Sequence, residues 1–208
     1  MSYTEKSCSE FLELTFSKEP APGGGGVSAL VGALGAALGG MVCNLTSGKK
    51  KYACYEEDIL RIREEALALK NDFEKMIDED ARNFLPLAGA YSMPSSTKEE
   101  QQIKAVRMDE CLKRAAEVPI KTVKKAYEAI SLFEELAAKG SSLALSDVGC
   151  GAAFLRGAIS GGWLNVVINL NMLKDEVFVN SVRAELEPMV KAGIERCDKI
   201  YEEVQKAL

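Results

Sequence analysis

The stretch from Ala21 to Lys51, APGGGGVSALVGALGAALGGMVCNLTSGKKK, constrains the fold more than any other part of the chain. Four consecutive glycines, Gly23 to Gly26, open it, small apolar residues follow, and three lysines close it. Because glycine has no side chain, another helix or a ligand can approach its backbone closely. The stretch therefore predicts a tightly packed helix from about Val27 to Leu45, beside a site for an anionic small molecule.

Small residues at four-residue spacing form smooth stripes on two predicted helices. They are Gly32, Ala36 and Gly40 with Gly35 and Gly39 on one helix, and Gly149, Ala153, Gly157 and Gly161 on the other. Residues four apart share one helix face. Each interior glycine costs about 0.5–1 kcal/mol relative to alanine, so close packing or a site must offset it. The stripes meet either each other or their counterparts in a second subunit.

A membrane-spanning helix is the alternative interpretation of this run. Small-residue stripes also pack transmembrane helices, and Val27 to Leu45 approaches spanning length. The run is mainly alanine and glycine, which partition weakly into lipid, and Ser28 and Asn44 interrupt it. A buried central helix is favoured, with no membrane partner.

Helical periodicity dominates the whole chain, and no segment alternates like a β-strand. The predicted helices cover residues 4–19, 27–45, 56–90, 97–139, 145–173 and 176–207. Pro119 predicts a kink or break because proline lacks a backbone N–H. Further disturbances are expected at Gly161-Gly162 and Pro188. Six helices with short connections predict an all-α, single-domain bundle over residues 1–208.

The composition excludes several classes of function. The chain has no histidine, which excludes Ser-His-Asp and Cys-His catalysis and histidine-based zinc or iron sites. The net charge of −5 argues against nucleic acid as a partner, since phosphate binding needs a basic surface. We expect no metal and no tightly bound cofactor.

The six cysteines are scattered through predicted helices without a CxxC pair. The N-terminal residues are polar and do not resemble a signal peptide. These features predict a cytoplasmic protein with reduced, structural thiols.

Asp80 is the strongest catalytic candidate. The buried stripe of its helix runs through Ile59, Ile62, Ala66, Leu69, Phe73 and Met76, and Asp80 takes the next position in that rhythm. A carboxylate on such a stripe either has a dedicated partner or has its pKa raised by burial, which suits a general acid–base. Asp78 and Glu79 point to other sides of the helix, where a solvated face is expected.

Other polar residues have both structural and functional interpretations. Asp147 either caps its helix or faces a ligand beside the glycine stripe. Asn165 and Asn169 lie four apart on an apolar helix, and they, like Asn44, bond either to backbone or to a ligand. Lys49, Lys50 and Lys51 either cap a helix end or hold carboxylates. The glycines match neither GxGxxG after a strand nor GxxxxGK[ST], so nucleotide binding is not indicated.

Six segments in order resemble the formiminotransferase-cyclodeaminase C-terminal family. They are Pro20-Ala-Pro-Gly-Gly-Gly-Gly26, Met41-Val-Cys-Asn-Leu-Thr-Ser-Gly-Lys-Lys-Lys-Tyr52, Asp78-Glu-Asp-Ala-Arg-Asn-Phe84, Val118-Pro119, Ser146-Asp147 and Leu164-Asn-Val-Val-Ile-Asn169. The resemblance covers nearly the whole chain. It implies a helical subunit that forms a homodimer, with a folate site in a cleft between helices.

The resemblance also implies residue roles. The family's catalytic aspartate maps onto Asp80, with Asp78 as the other candidate, and its glycine-rich loop maps onto Gly23, Gly24, Gly25 and Gly26. A fourth glycine stands where members commonly have serine, and Gly149-Cys150-Gly151 replaces a bulkier apolar residue. A glycine at the first of these positions makes no hydroxyl contact.

The implied reaction is one-carbon chemistry on tetrahydrofolate. The sequence contains no counterpart of the formiminotransferase domain, which favours a methenyltetrahydrofolate cyclohydrolase over a formiminotetrahydrofolate cyclodeaminase. A non-catalytic folate-binding protein is a third possibility. These roles give a mechanistic hypothesis in which Asp80 transfers the proton. Lys49 to Lys51 hold the carboxylates of the folate tail, which can carry several glutamates. Asp147 binds the pterin edge.

Overall fold

The computed structural model describes residues 2–208, and within this range it contains helices and no strand. The helices are α1 (Cys8–Phe16), α2 (Gly24–Thr46), α3 (Glu56–Tyr91), α4 (Lys98–Lys139), α5 (Leu145–Leu170) and α6 (Glu176–Ala207). Two short 3-10 turns, Lys50–Tyr55 and Ser142–Ala144, precede α3 and α5. The all-α prediction with six helices is confirmed.

The helix boundaries follow local sequence signals. Ser7 and Glu10 form a capping box at α1, and Thr97 and Glu100 form another at α4. The predicted breaks are absent, because α4, α5 and α6 continue through Pro119, Gly161-Gly162 and Pro188. Tertiary packing of these long helices outweighs the one backbone bond that each proline removes.

The long helices form an up-and-down bundle around α2. Helix α2 packs against α3, α4 and α5, and consecutive helices from α2 to α6 are antiparallel. One hydrophobic cluster contains buried residues from all six helices. Consequently the N-terminus of α2 lies at the same end of the bundle as the C-termini of α3 and α5.

The glycine stripes partly meet each other. A Cβ on Gly161 would meet Ser28, one on Gly157 would lie 3.6 Å from Val31, and one on Gly35 would lie 3.3 Å from the carbonyl oxygen of Gly151. These pairs run in opposite directions along α2 and α5, as expected for antiparallel helices. The small residues therefore let the two backbones approach closely.

Other glycines make room for aromatic rings. A Cβ on Gly32 would lie 2.6 Å from the ring of Phe73 on α3, and one on Gly39 would lie 3.2 Å from Phe133 on α4. Both phenylalanines are at least 99% buried. Each glycine thus offsets its conformational cost by admitting a large core side chain.

Helix α2 and the segment Ser142–Leu170 are both long and apolar enough to cross a membrane. In the structure they pack against each other at the centre of the bundle, and 56% of the most apolar window of α2 is buried. Core helices and membrane spans share this composition, so length and hydropathy do not distinguish them.

Gly32→Ala should destabilise the fold by about 1–3 kcal/mol, because the new methyl group overlaps the Phe73 ring. Gly40→Ala is the matched control on the same helix, since a Cβ there meets nothing within 4 Å. The control should be stabilising by about 0.5–1 kcal/mol, the usual gain of alanine over glycine in a helix. Urea unfolding followed by circular dichroism measures both, and equal effects would contradict the packing role of Gly32.

Candidate active site

A cavity of about 260 Å³ lies at the end of the bundle where α2 begins. It is lined by Pro20, Ala21, Gly23, Gly24, Gly25, Asp80, Phe84, Tyr91, Ala115, Pro119, Asn165, Ile168, Asn169 and Met172. Four helices, α2, α3, α4 and α5, contribute to its wall. Three separate predictions from the sequence, the glycine loop, Asp80 and the asparagine pair, therefore meet in one place.

Asp80 lies directly against the glycine loop. A Cβ on Gly25 would lie 2.6 Å from Cγ and 2.6 Å from Oδ2 of the Asp80 carboxyl group, so any side chain there would displace the aspartate. Gly24 is similarly close to Asn165, whose Nδ2 would lie 2.9 Å from a Cβ. The lack of side chains in the loop thus determines where both polar groups sit.

The Asp80 carboxyl group also lies at the N-terminus of α2. That helix has no side-chain cap, and its first backbone amides favour a negative charge. Burial nevertheless raises the pKa of Asp80 to about 6, and the Gly26 amide, which lowers it, offsets only part of this effect. The group is therefore mostly ionised at pH 7 but readily protonated, as general acid–base catalysis requires.

Asn165 and Asn169 form a ladder along α5. The Asn165 Nδ2 donates to the Gly161 carbonyl oxygen at 2.8 Å, and the Asn169 Nδ2 donates to the Asn165 carbonyl oxygen at 2.8 Å. Both side chains line the cavity, and Asn169 is only 8% exposed. Backbone bonding and ligand contact, which were alternatives from the sequence, are thus compatible.

Asp78 has a structural partner instead. Its carboxylate accepts hydrogen bonds from the Tyr3 amide at 2.5 Å and the Ser2 hydroxyl at 2.7 Å. Glu79 pairs with Lys121 at 2.6 Å on the surface. Asp78 therefore anchors the N-terminal segment to α3, and neither carboxylate lines the cavity.

Gly26 and Asn44, which were also predicted to bind substrate, do not line the cavity. Gly26 is buried behind the cavity wall, where its amide faces Asp80. Asn44 is exposed and lines a shallow depression between α2 and α3, together with Met41 and Arg63.

Lys49, Lys50, Lys51 and Asp147 lie at the opposite end of the bundle. Helix α2 has 23 residues, so about 33 Å separates the glycine loop from the lysines. Lys51 lies there beside Tyr52 and Ser142, and Asp147 is in the first turn of α5. Hydrogen bonds from Ser142 lower the pKa of Tyr52 to about 7. Within one chain these residues do not reach the cavity, and their substrate roles stay predictions.

Several cavity residues were missed by the sequence reasoning. Tyr91 donates a hydrogen bond from its hydroxyl to the Met172 sulfur at 3.3 Å, and the pair lies at the cavity edge. Pro119 removes the amide that would bond to the Ala115 carbonyl, and both residues line the cavity. Pro119 was predicted to kink or break its helix and belongs to one of the family-like segments, but it was given no place in the site.

The cavity and bundle together define an all-helical fold with a buried, titratable aspartate in a cavity where four helices meet. Residues 7–188 match the model of the formiminotransferase-cyclodeaminase family, and the chain belongs to that family. Its predicted family membership is therefore confirmed.

Individual relatives cover the chain almost completely. It is 37% identical to the methenyltetrahydrofolate cyclohydrolase of Methylorubrum extorquens, over 94% of each chain. It is 31% identical to the formimidoyltransferase-cyclodeaminase of Rattus norvegicus, over 91% of this chain but only 35% of that longer protein. The crystal structure of formiminotetrahydrofolate cyclodeaminase from Thermotoga maritima superposes with a TM-score of 0.80 at 27% identity, covering 98% of this chain and 96% of that one.

Asp80→Asn should stabilise the folded protein at pH 7. The folded-state pKa of about 6 lies above the ordinary aspartate pKa of 3.8, so the wild type loses stability as pH rises through this window. The shift corresponds to about 3 kcal/mol at neutral pH. Urea unfolding at pH 7 and pH 4 measures the effect. The difference between variant and wild type should be largest at pH 7 and fall below about 1 kcal/mol at pH 4, and a difference independent of pH would contradict the burial of an ionised Asp80.

Proposed function

We propose that this chain is a methenyltetrahydrofolate cyclohydrolase, which interconverts 5,10-methenyltetrahydrofolate and 10-formyltetrahydrofolate. The observation that carries the proposal is Asp80, a carboxyl group with a pKa near 6 in a cavity lined by the glycine loop and two asparagines. The relationship to the Methylorubrum extorquens cyclohydrolase over nearly the full length of both chains supports the choice of reaction.

In the proposed mechanism Asp80 moves one proton. Water adds to the methenyl carbon between N5 and N10, and the Asp80 carboxylate accepts a proton from that water. The resulting tetrahedral intermediate carries a hydroxyl group. Asp80 then returns the proton to N5 as the bond from carbon to N5 breaks. Loss of the hydroxyl proton to solvent leaves the formyl group on N10.

The alternative is formiminotetrahydrofolate cyclodeaminase activity. In that reaction N10 attacks the formimino carbon of the substrate in its amidinium form, whose terminal nitrogen already carries two hydrogens, so that ammonia leaves and the methenyl cation forms. Asp80 would take the N10 proton and pass it to the departing nitrogen. The likeness to the Thermotoga maritima cyclodeaminase favours this candidate, because that structure matches along the whole chain.

A spectroscopic assay with both substrates separates the proposals. Cyclohydrolase activity consumes the absorbance of 5,10-methenyltetrahydrofolate, whereas cyclodeaminase activity produces it from the formimino compound and releases ammonia. Binding of either folate without turnover would support the third possibility, a non-catalytic folate-binding protein.

Asp80→Asn should lower kcat by at least about 100-fold, the usual contribution of general acid–base catalysis, while the fold is retained. In the wild type, kcat/KM for the methenyl compound should fall about tenfold per pH unit below pH 6, because protonation removes the base. Glu79→Gln is the matched control, since it removes a half-buried carboxylate that pairs with Lys121 from the adjacent position. Near-normal turnover by Asp80→Asn would reject the catalytic role.

The proposal extends to a cytoplasmic homodimer. Helices α2 and α5 lie side by side and expose apolar residues, among them Leu34, Met41, Leu45, Leu164 and Ile168. A two-fold pair with these faces in contact and α2 antiparallel would bring Lys49 to Lys51 of one copy towards the cavity of the other. The lysines would then hold the carboxylates of a folate tail, including those of a polyglutamate.

Mixing two inactive variants tests this arrangement. Asp80→Asn and a triple variant with Lys49→Ala, Lys50→Ala and Lys51→Ala should each have low activity with a polyglutamylated substrate. After dissociation and reassociation, half of the dimers are mixed, and one of their two sites has both wild-type parts. Roughly a quarter of wild-type activity should return. No recovery, with mixed dimers shown by mass spectrometry, would exclude lysines supplied by the partner.

A further inference from the structure

The Asn165 and Asn169 amides have only one chemically sensible orientation. Each side-chain group lies 2.8 Å from a backbone carbonyl oxygen, which can only accept a hydrogen bond. The amide nitrogen must therefore face that carbonyl. The opposite end of each amide, the oxygen, is left to face away from the helix backbone.

Neither amide oxygen is used by the protein. Within residues 2–208, no donor bonds to Oδ1 of Asn165 or Asn169. Every fully buried side-chain oxygen in this range has a partner, so these two unbonded oxygens are not fully buried. Both residues line the cavity, so both oxygens are accessible from it. For Asn169, which is 92% covered, the cavity is the place from which a donor can come.

The cavity wall therefore presents acceptors. The two oxygens are one helical turn apart, about 6 Å along α5. On the part of the wall formed by α4, the Ala115 carbonyl lacks the amide that residue 119 would otherwise donate, because that residue is proline. With the Asp80 carboxylate, these groups match a flat heterocycle whose edge carries several N–H donors.

We propose that the amide oxygens of Asn165 and Asn169 bind the pterin ring by accepting hydrogen bonds from its 2-amino group and the adjacent ring N–H. This inference rests on the proposed folate activity and assigns the pterin edge to the ladder. Asp147, to which the sequence analysis gave that edge, lies about 27 Å away along α5. Anchoring the donor edge at the ladder orients the ring within reach of Asp80, which lines the same cavity.

The experiment is a cycle that combines a change in the protein with a change in the ligand. The substrates are 5,10-methenyltetrahydrofolate and its analogue with a methyl group in place of the 2-amino group. Wild type should lose about 10- to 100-fold in kcat/KM on the analogue, because a buried acceptor is left unpaired. Asn169→Ala should lose a similar factor on the natural substrate, and the analogue should cost it little more.

The controls keep the outcome interpretable. Asn180→Ala removes an exposed asparagine from α6, which does not line the cavity, and should respond to the analogue like wild type. Asn169→Ser replaces Asn169→Ala if circular dichroism shows that the alanine variant has lost helix. If Asn169→Ala on the analogue lost the product of the two separate factors in kcat/KM, the two changes would be independent and the assignment would be overturned. Absence of wild-type turnover on any folate would instead reject the proposed function.

Discussion

The close approach of Gly25 to the Asp80 carboxyl group is the contact on which the site depends. It brings the N-terminus of α2 against α3 at a distance that no side chain permits. The same contact places a carboxylate at uncapped helix amides while covering it from water. Burial and the amides act on the Asp80 pKa in opposite directions, and burial has the larger effect. The glycine loop thus shifts the pKa of Asp80 through burial and a backbone amide rather than through a neighbouring charge.

The packing of α2 and α5 extends this constraint through the bundle. Small residues such as Ser28 and Gly161 let the two helices run close together, which positions Asn165 beside Gly24. The ladder of asparagines therefore faces the cavity because of contacts made further along the same helix pair. A glycine that looks remote from the site, such as Gly32 beneath Phe73, helps to hold the alignment of α2 against α3.

Periodicity predicted the elements and the faces of the helices, but not the ends at which residues meet. Asp80 interrupts an apolar stripe, and this local signal correctly indicated a group inside the bundle. Asp147 was placed beside the site because it precedes a glycine stripe, yet the helix length puts it at the far end. The carboxylate of Asp78 bonds to the backbone amide of Tyr3, which is 75 residues away in the sequence. No local pattern carries such a contact.

Both candidate reactions need a group that takes a proton from one atom and gives it to a nitrogen on the same substrate. A carboxyl group with its ordinary pKa near 4 would be a poor acid at pH 7, and a fully buried one would be a poor base. In the proposed mechanism, a pKa near 6 suits Asp80 both to accept and to return the proton within one turnover. What distinguishes hydration from deamination is then the nucleophile that reaches the bridging carbon, water in one case and N10 in the other. In the proposed arrangement, the orientation of the pterin ring against the asparagine ladder would control that access, and the ladder is then the part of the cavity wall on which selectivity between the two reactions depends.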